Sequence, residues 1–247
     1  MKISEEQIPL PPVGLVARVT GTEDLQWFRH SGGLSLNDWE RSLGGIARNF
    51  DQFENIVDYG CGCGRVLRHL KPRLRPEQKL HAMDVDADAI GWVQQNIQGV
   101  ETHVLSPMPP TTLSNASIDL VLNHSVFTHL TEDVQTLWLA EVARIVKPGG
   151  LAVLTFHGRN VWEGYRTHLI ESGRVEEEAY INRRLDSYGF HYIGGRTTYE
   201  DVLPEYYGSS FQTIDYVERE WQRHFTIKAW YTKAALAHQD ILVLERK

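Results

Sequence analysis

Only two cysteines, Cys61 and Cys63, occur in the 247 residues. A disulfide framework is thereby excluded, because two thiols separated by one residue in a glycine-rich stretch are badly placed to bridge each other. A structural zinc site on this pair would need further ligands at short spacing, and none adjoin it. The pair reads as small side chains in a crowded turn. No apolar run reaches the length of a membrane span, and residues 1–6 turn acidic at once without an apolar leader. We therefore expect a cytoplasmic protein with no membrane partner. Basic charge is also scarce: the formal net charge is −7 and the pI about 5.9. Nucleic acid is accordingly not an expected partner. The one basic run, Arg65, Arg68, Lys71, Arg73 and Arg75, reads as a solvated helix end. No repeat or low-complexity tract interrupts the chain, and nothing in it assigns an oligomeric state.

What is present is ordinary globular composition, with 42% hydrophobic and 23% charged residues. Residues 1–34 are mixed, and Pro9, Pro11 and Pro12 argue against an early helix. Ser35 and Asp38 are candidate caps for a helix that carries Trp39, Leu43, Ile46 and Phe50 on one face. From there strands and helices alternate. Short apolar strands are predicted at 56–59, 80–84, 100–105, 118–122 and 151–156. Helices fall between them: one from Gly64 stopped by Pro72, one with Ile90, Val93 and Ile97 inward, and one from Thr131 closed by Pro148-Gly149-Gly150. Residues 157–212 lack a clean period. A helix follows at about 213–224, then strands near 225–231 and 238–245. This rhythm predicts a Rossmann-like, doubly wound α/β fold with helices on both faces of a mostly parallel sheet. The expected organisation is an N-terminal cap (1–50), a ligand-binding core (51–156), an insertion (157–212) and a C-terminal helix with a strand hairpin (213–247).

The first strand runs into Asp58-Tyr59-Gly60-Cys61-Gly62-Cys63-Gly64-Arg65, at the place where open α/β sheets bind nucleotide-like ligands. The glycines follow G-x-G-x-G spacing rather than the G-x-G-x-x-G that seats a pyrophosphate on a helix N-terminus. Asp58, just before them, would repel a pyrophosphate but accept hydrogen bonds from an ammonium group. S-adenosylmethionine has an ammonium and a carboxylate and no phosphate. Asp84 ends the second strand, where a carboxylate can accept from both ribose hydroxyls. Its separation from Asp58 exceeds the usual ~20 residues, and the long 71–79 connection accounts for the excess.

Four ordered segments then carry a resemblance: residues 57–65, 83–86, 118–121 and 146–150 resemble the motifs of class I S-adenosylmethionine-dependent methyltransferases. The resemblance covers about 55–156, with the final strands fitting loosely, and it implies a seven-stranded sheet whose last strand is antiparallel. It also implies that Asp58, Gly60, Gly62 and Gly64 surround the methionine end, with Cys61 and Arg65 in the same loop. Asp84 would bind ribose, Val85 would pack on adenine, and Asn123 would lie near the reactive methyl. The family often has an acid after the third strand; here Ser106-Pro107-Met108 stands there, and Met108 is the expected contact. Residues 123–126 depart from the Asn-Pro-Pro-Tyr pattern of enzymes that methylate planar amide or base nitrogens. Residues 125–130 and 238–240 resemble a bacterial branch linked to small-molecule or sugar tailoring.

These implications lead to the expectation of metal-independent, in-line methyl transfer to a small-molecule acceptor, since no metal-ligand cluster is visible. The same cofactor residues would also suit a binding protein without transfer, and a nicotinamide-dependent oxidoreductase is the more distant reading. Candidate bases lie where the parallel strands end: His124, His157 and His238. His129 reads as a loop-fixing residue. The insertion, with Trp162, Tyr165, Tyr188, Phe190, Tyr192, Tyr199, Tyr206 and Tyr207, reads as a substrate cover, because aromatic rings give apolar walls with polar tips. The segment around Trp27, Phe28 and His30 is a second candidate cover.

Overall fold

Central strands that are apolar on both faces need helices on both sides of the sheet. The computed structural model describes residues 4–195, 199 and 201–247. Helices α1 (Val13–Thr20) and α2 (Leu25–Gly44) lead into β1 (Asn55–Tyr59), α3 (Leu67–Leu70), β2 (Lys79–Asp84), α4 (Ala87–Asn96), β3 (Glu101–Val104), β4 (Ile118–Asn123), α5 (Glu132–Ile145) and β5 (Val146–Phe156). Then come α6 (Arg159–Glu171), α7 (Val175–Ser187), β6 (Phe190–Gly194), β7 (Gly208–Gln212), α8 (Ile214–Trp221), β8 (Phe225–Ala235) and β9 (Gln239–Arg246). The main sheet has seven strands in the order β3-β2-β1-β4-β5-β9-β8. Strands β1 to β5 pair in parallel, and β9 is antiparallel to both neighbours.

Alternation along each strand divides the core into two layers. Ile56, Leu120, Val153 and Val243 pack with Trp39, Leu43, Leu67 and Val93 on the α2–α3–α4 side. Val57, Val121, Leu154 and Leu242 pack with Trp138, Val142, Val217 and Trp221 on the α5–α8 side. Among the described residues, no helix is long and apolar enough to cross a membrane.

Three expectations are corrected. The prolines do not prevent an early helix: Pro12 is the N-cap of α1, where its missing N–H leaves no helical bond unmade. The long helix begins at Leu25 rather than near Ser35, because the Asp24 carboxylate accepts from the amides of Gln26 and Trp27. Ser35 and Asp38 are buried inside it, and Asp38 Oδ2 accepts the Leu236 amide at 2.8 Å. The basic run is a solvated helix end only in part: Arg73 and Arg75 are exposed and Lys71 is half-buried. Arg65 and Arg68 are buried, and Arg68 donates to Glu5 at 2.8 Å and to the carbonyls of Ile8 and Pro9.

The aperiodic insertion is also more regular than its sequence suggests. Helices α6 and α7 and the hairpin β6–β7 close a small core of Val161, Trp162, Leu169, Ile181, Leu185 and Phe211. Residues 196–198 and 200 of the expected cover, and residues 1–3 of the expected leaderless start, lie outside the described residues.

Arg68 thus pins the N-terminal segment onto α3 through a largely buried ion pair. Arg68→Ala would leave the Ile8 and Pro9 carbonyls without this partner and Glu5 with Arg29 alone. We expect a loss of about 2–3 kcal/mol in urea unfolding, and a loss below about 0.5 kcal/mol would show that the pin is unimportant.

Candidate active site

The chain leaves β1 through three glycines in the left-handed region, Gly60 (φ 80), Gly62 (φ 52) and Gly64 (φ 84). The amides of Gly60 and Cys61 donate to the Met83 carbonyl at 2.8 and 3.1 Å. The Gly62 amide donates to Asp84 Oδ2 at 2.7 Å, and Asp84 Oδ1 accepts the Asp86 amide at 2.9 Å. The loop is thereby fastened to the end of the neighbouring strand. A Cβ on Gly60 would stand 2.1 Å from Val126 Cγ2, and one on Gly62 would stand 2.5 Å from Val19 Cγ2.

Above this loop lies a cleft with about 1110 Å³ of empty space, open solvent included. Of the residues expected to bind cofactor, Asp58, Gly60, Cys61, Gly62, Arg65, Asp84 and Val85 line it; of the three candidate bases, His124 does. The others are placed differently. Gly64 lies beneath the loop against Ile97. Asn123 is fully buried and donates to the Tyr59 carbonyl at 2.8 Å, which turns its side chain into the sheet. Met108 is 40% exposed outside the lining, and Leu105 takes the inward position after β3. His157 is buried behind the lining, its ring 6.3 Å from that of His129 and 5.7 Å from that of His238. His238 sits outside the lining too, but its neighbour Gln239 donates to Ser125 Oγ at 2.8 Å.

Several lining residues carried no strong sequence signal. Arg18 and Val19 of α1 form one wall, with Arg18 paired to Asp86 at 3.0 Å and to Asp88 at 3.2 Å. Trp27, Phe28 and His30 are not in the lining; Phe28 packs instead under α1 with Leu15 and Val16. Opposite stand Ser125, His129, Leu203, Pro204, Tyr206 and Tyr207. The His129 ring stacks on Tyr207 with centroids 4.3 Å apart. Its Nδ1 contacts the Gly208 carbonyl at 2.7 Å, which makes Nδ1–H the donor and leaves Nε2 as an acceptor, 3.4 Å from Ser125 Oγ. Tyr206 donates to the Pro107 carbonyl, so the β6–β7 segment closes over the loop after β3.

The electrostatics follow from burial. The Asp58 carboxyl is 2% exposed, and its Oδ2 has no hydrogen-bond partner. Desolvation pushes its pKa up to about 7, against the nearby Arg65 guanidinium and with help from Asp84. Burial lowers Arg65 to about 10; its guanidinium donates to the hydroxyls of Ser31 and Ser35. Burial raises Asp84 against the amides that bond it, and lowers His124 and His129. The Cys61 and Cys63 thiols are raised by burial, which makes them poor nucleophiles. An unpartnered buried carboxylate oxygen beside a glycine cradle and a second strand-end carboxylate fit a ligand with an ammonium group and a ribose.

Comparison with known proteins agrees with this layout. Residues 56–150 match the family model of a methyltransferase domain. The malonyl-(acyl-carrier protein) O-methyltransferase of Hahella chejuensis is 28% identical over 142 residues, covering 54% of this chain and 46% of that protein. The chain therefore spans about half the length of that curated relative. A Pyrococcus horikoshii OT3 protein superposes with a TM-score of 0.57 at 14% identity, over 94% of this chain and 98% of that one. The 1,6-didemethyltoxoflavin N1-methyltransferase of Burkholderia thailandensis, solved with 1,6-didemethyltoxoflavin and S-adenosylhomocysteine, gives 0.56 at 13% identity, over 97% and 92%. At such identities the two structures share the fold.

Burial, with His129 and His238 nearby, holds His157 down to about 3. A depressed imidazole contributes stability that is complete above its unfolded pKa near 6.5 and is lost as pH falls toward 3. Between pH 6 and 4.5, His157→Gln should therefore lose about 1.4 kcal/mol less stability per pH unit than the parent. Equal slopes in pH-dependent urea unfolding would contradict this.

Proposed function

We propose that this chain, whose residues 56–150 match the model of a methyltransferase domain, is a class I S-adenosylmethionine-dependent methyltransferase that methylates a small organic acceptor held between the glycine loop and the wall of Leu203, Pro204, Tyr206 and Tyr207. The observation that carries this reading is the Asp58 Oδ2 atom, buried and without a hydrogen-bond partner in the wall of the cleft. A pyrophosphate ligand would face Asp58 and Asp84 together, which disfavours a nicotinamide dinucleotide. When bound, the cofactor supplies a methyl group already activated on a sulfonium. Asp58 accepts from the ammonium, the glycine loop admits the methionine backbone, and Asp84 accepts from the ribose hydroxyls. Val85 and Leu105 give apolar surface for the adenine.

Ser125, His129, Tyr206 and Tyr207 supply polar groups on an otherwise apolar wall, which suits a small acceptor with an oxygen or nitrogen nucleophile. The chain's part in transfer is to align that nucleophile, exclude water, and receive a proton if the acceptor arrives protonated. Of the lining imidazoles, His129 has a tautomer fixed by the Gly208 carbonyl and an acceptor Nε2 facing Ser125 Oγ; we assign it the proton-accepting role, with His124 beside the loop.

Three outcomes test this. Calorimetric titration should show saturable binding of S-adenosylmethionine and S-adenosylhomocysteine, weakened at least about tenfold by Asp84→Ala. Affinity should fall as pH drops below about 7, where Asp58 protonates, by up to about tenfold per unit, and Asp58→Asn should flatten that dependence. NAD binding in their place would overturn the reading. With an acceptor found by release of S-adenosylhomocysteine, His129→Ala should lower kcat about 100-fold and leave cofactor affinity unchanged. Full turnover in that variant would reduce His129 to a loop anchor.

A further inference from the structure

Away from the cleft, β2 and β3 bring together three side chains with metal-binding chemistry, although the sequence shows no metal-ligand cluster. His81 pairs in register with Glu101, and Met83 with His103. Side chains alternate along a strand, so Glu101 and His103 share one face of β3 and meet His81 on the same face of β2. His81 Nδ1 lies 3.2 Å from His103 Nε2 and 3.5 Å from Glu101 Oε2. The three donor atoms all lie within 4.8 Å of one another.

We propose that His81, Glu101 and His103 form a binding site for one zinc-class divalent cation that clips the edge strand β3 to β2. Tetrahedral zinc with bonds of about 2.0–2.1 Å holds neighbouring donors roughly 3.3 Å apart. The two separations, 3.2 and 3.5 Å, already stand near that value. Two imidazoles and one carboxylate are a nitrogen-rich set that selects zinc, cobalt or nickel over magnesium or calcium. The surroundings fit as well. His103 Nδ1 contacts Thr112 Oγ1 at 3.3 Å, which orients the ring and leaves Nε2 turned toward His81, the arrangement that ligating histidines use. His81 is buried and held in place, while the Glu101 side chain is 58% exposed and free to swing the short distance needed. A fourth position toward solvent remains for water.

His81 precedes Asp84 by three residues on one strand, about 10 Å along it. The site is therefore separate from the cleft and independent of the methyl-transfer reading. Its role is mechanical. Strand β3 has four residues and lies at the edge of the sheet, so a cross-strand metal clip would hold the end of the sheet from which Leu105 reaches into the cleft.

The test uses tag-free, chelator-stripped full-length protein titrated with Zn²⁺, and with Co²⁺ followed by visible absorption. We expect one ion per chain, a tetrahedral cobalt spectrum, a rise in Tm with Zn²⁺, and no competition from excess Mg²⁺. Glu101→Gln and His103→Ala, at exposed and half-buried positions, should each weaken binding at least about tenfold and abolish the Tm rise, with circular dichroism unchanged. Absence of stoichiometric binding would leave the 3.2 Å contact as an ordinary imidazole pair and overturn the proposal. Binding unaltered in both variants would overturn it equally, by placing the ion elsewhere.

Discussion

The hydrogen bond from the Gly62 amide to Asp84 Oδ2, at 2.7 Å, is the contact on which the geometry of the cleft depends. Two parallel strands end side by side, and the loop leaving one is tied to the last residue of the other. That tie draws the loop across the strand ends instead of letting it continue directly into α3. Asp58 is left underneath it, out of water. The glycines follow from the same tie. A loop this close to β2 and to Val126 and Val19 has no room for Cβ atoms at positions 60 and 62, and its backbone must enter the left-handed region. One carboxylate thus shapes the cradle and still presents its remaining lone pairs to the cleft.

Charge balance around the loop is settled by burial as much as by pairing. Asp58, Asp84 and Arg65 lie within one desolvated neighbourhood, and each is displaced toward its neutral form. A buried acid near neutrality is expensive to ionise alone, and it becomes inexpensive when a cationic ligand arrives. The histidines obey the same rule with the opposite sign. His157 is so far desolvated that it stays neutral in the working range, whereas His129 keeps a defined tautomer through the Gly208 carbonyl. A histidine at a strand end is therefore not by itself a base; what its second nitrogen contacts decides what the first can do.

The sheet was legible because its signals are local. Apolar runs ending at Gly60, Asp84 and Asn123 mark buried strands, and Thr131 marks a helix start, although Pro148 and Gly149, read as the end of that helix, lie inside β5 while α5 stops at Ile145. The N-terminal layer was not legible for the same reason. Pro12 disfavours helix in an interior but favours helix entry, and only the tertiary position of residues 13–20 decides between the two. Arg65 and Arg68 read as surface residues because single-residue propensity prefers water; their partners, Ser31, Ser35 and Glu5, are 30 to 63 residues distant in sequence. His81, Glu101 and His103 escape notice likewise, since strand register brings them together. Within the insertion, Tyr206 and Tyr207 stood out as aromatics, but nothing local distinguished them from Trp162 and Tyr165, which pack in a core of their own.

That contrast bears on how the cleft acquires specificity. The part that matches the methyltransferase-domain model, residues 56–150, contributes the glycine loop, Asp84 and the strand ends. Much of the walls comes from outside it: Arg18 and Val19 from α1, and Leu203, Pro204, Tyr206 and Tyr207 from the segment between β6 and β7, while Ser125 and His129 of the second wall belong to the 56–150 segment. Both added walls are fastened to the matched part by contacts distant in sequence, Arg18 to Asp86 and Gly208 to the His129 carbonyl at 3.0 Å. Asp86 is itself the cap of α4, accepting the amides of Asp88 and Ala89, so the α1 wall is anchored to the same turn that follows Asp84. On the proposed reading, the cofactor side of the cleft would belong to the 56–150 segment, and the acceptor side would be built jointly by that segment and the added walls. Among the described residues, neither Arg18 and Val19 nor Leu203, Pro204, Tyr206 and Tyr207 make a backbone bond to the glycine cradle, so the Gly62–Asp84 tie does not depend on them.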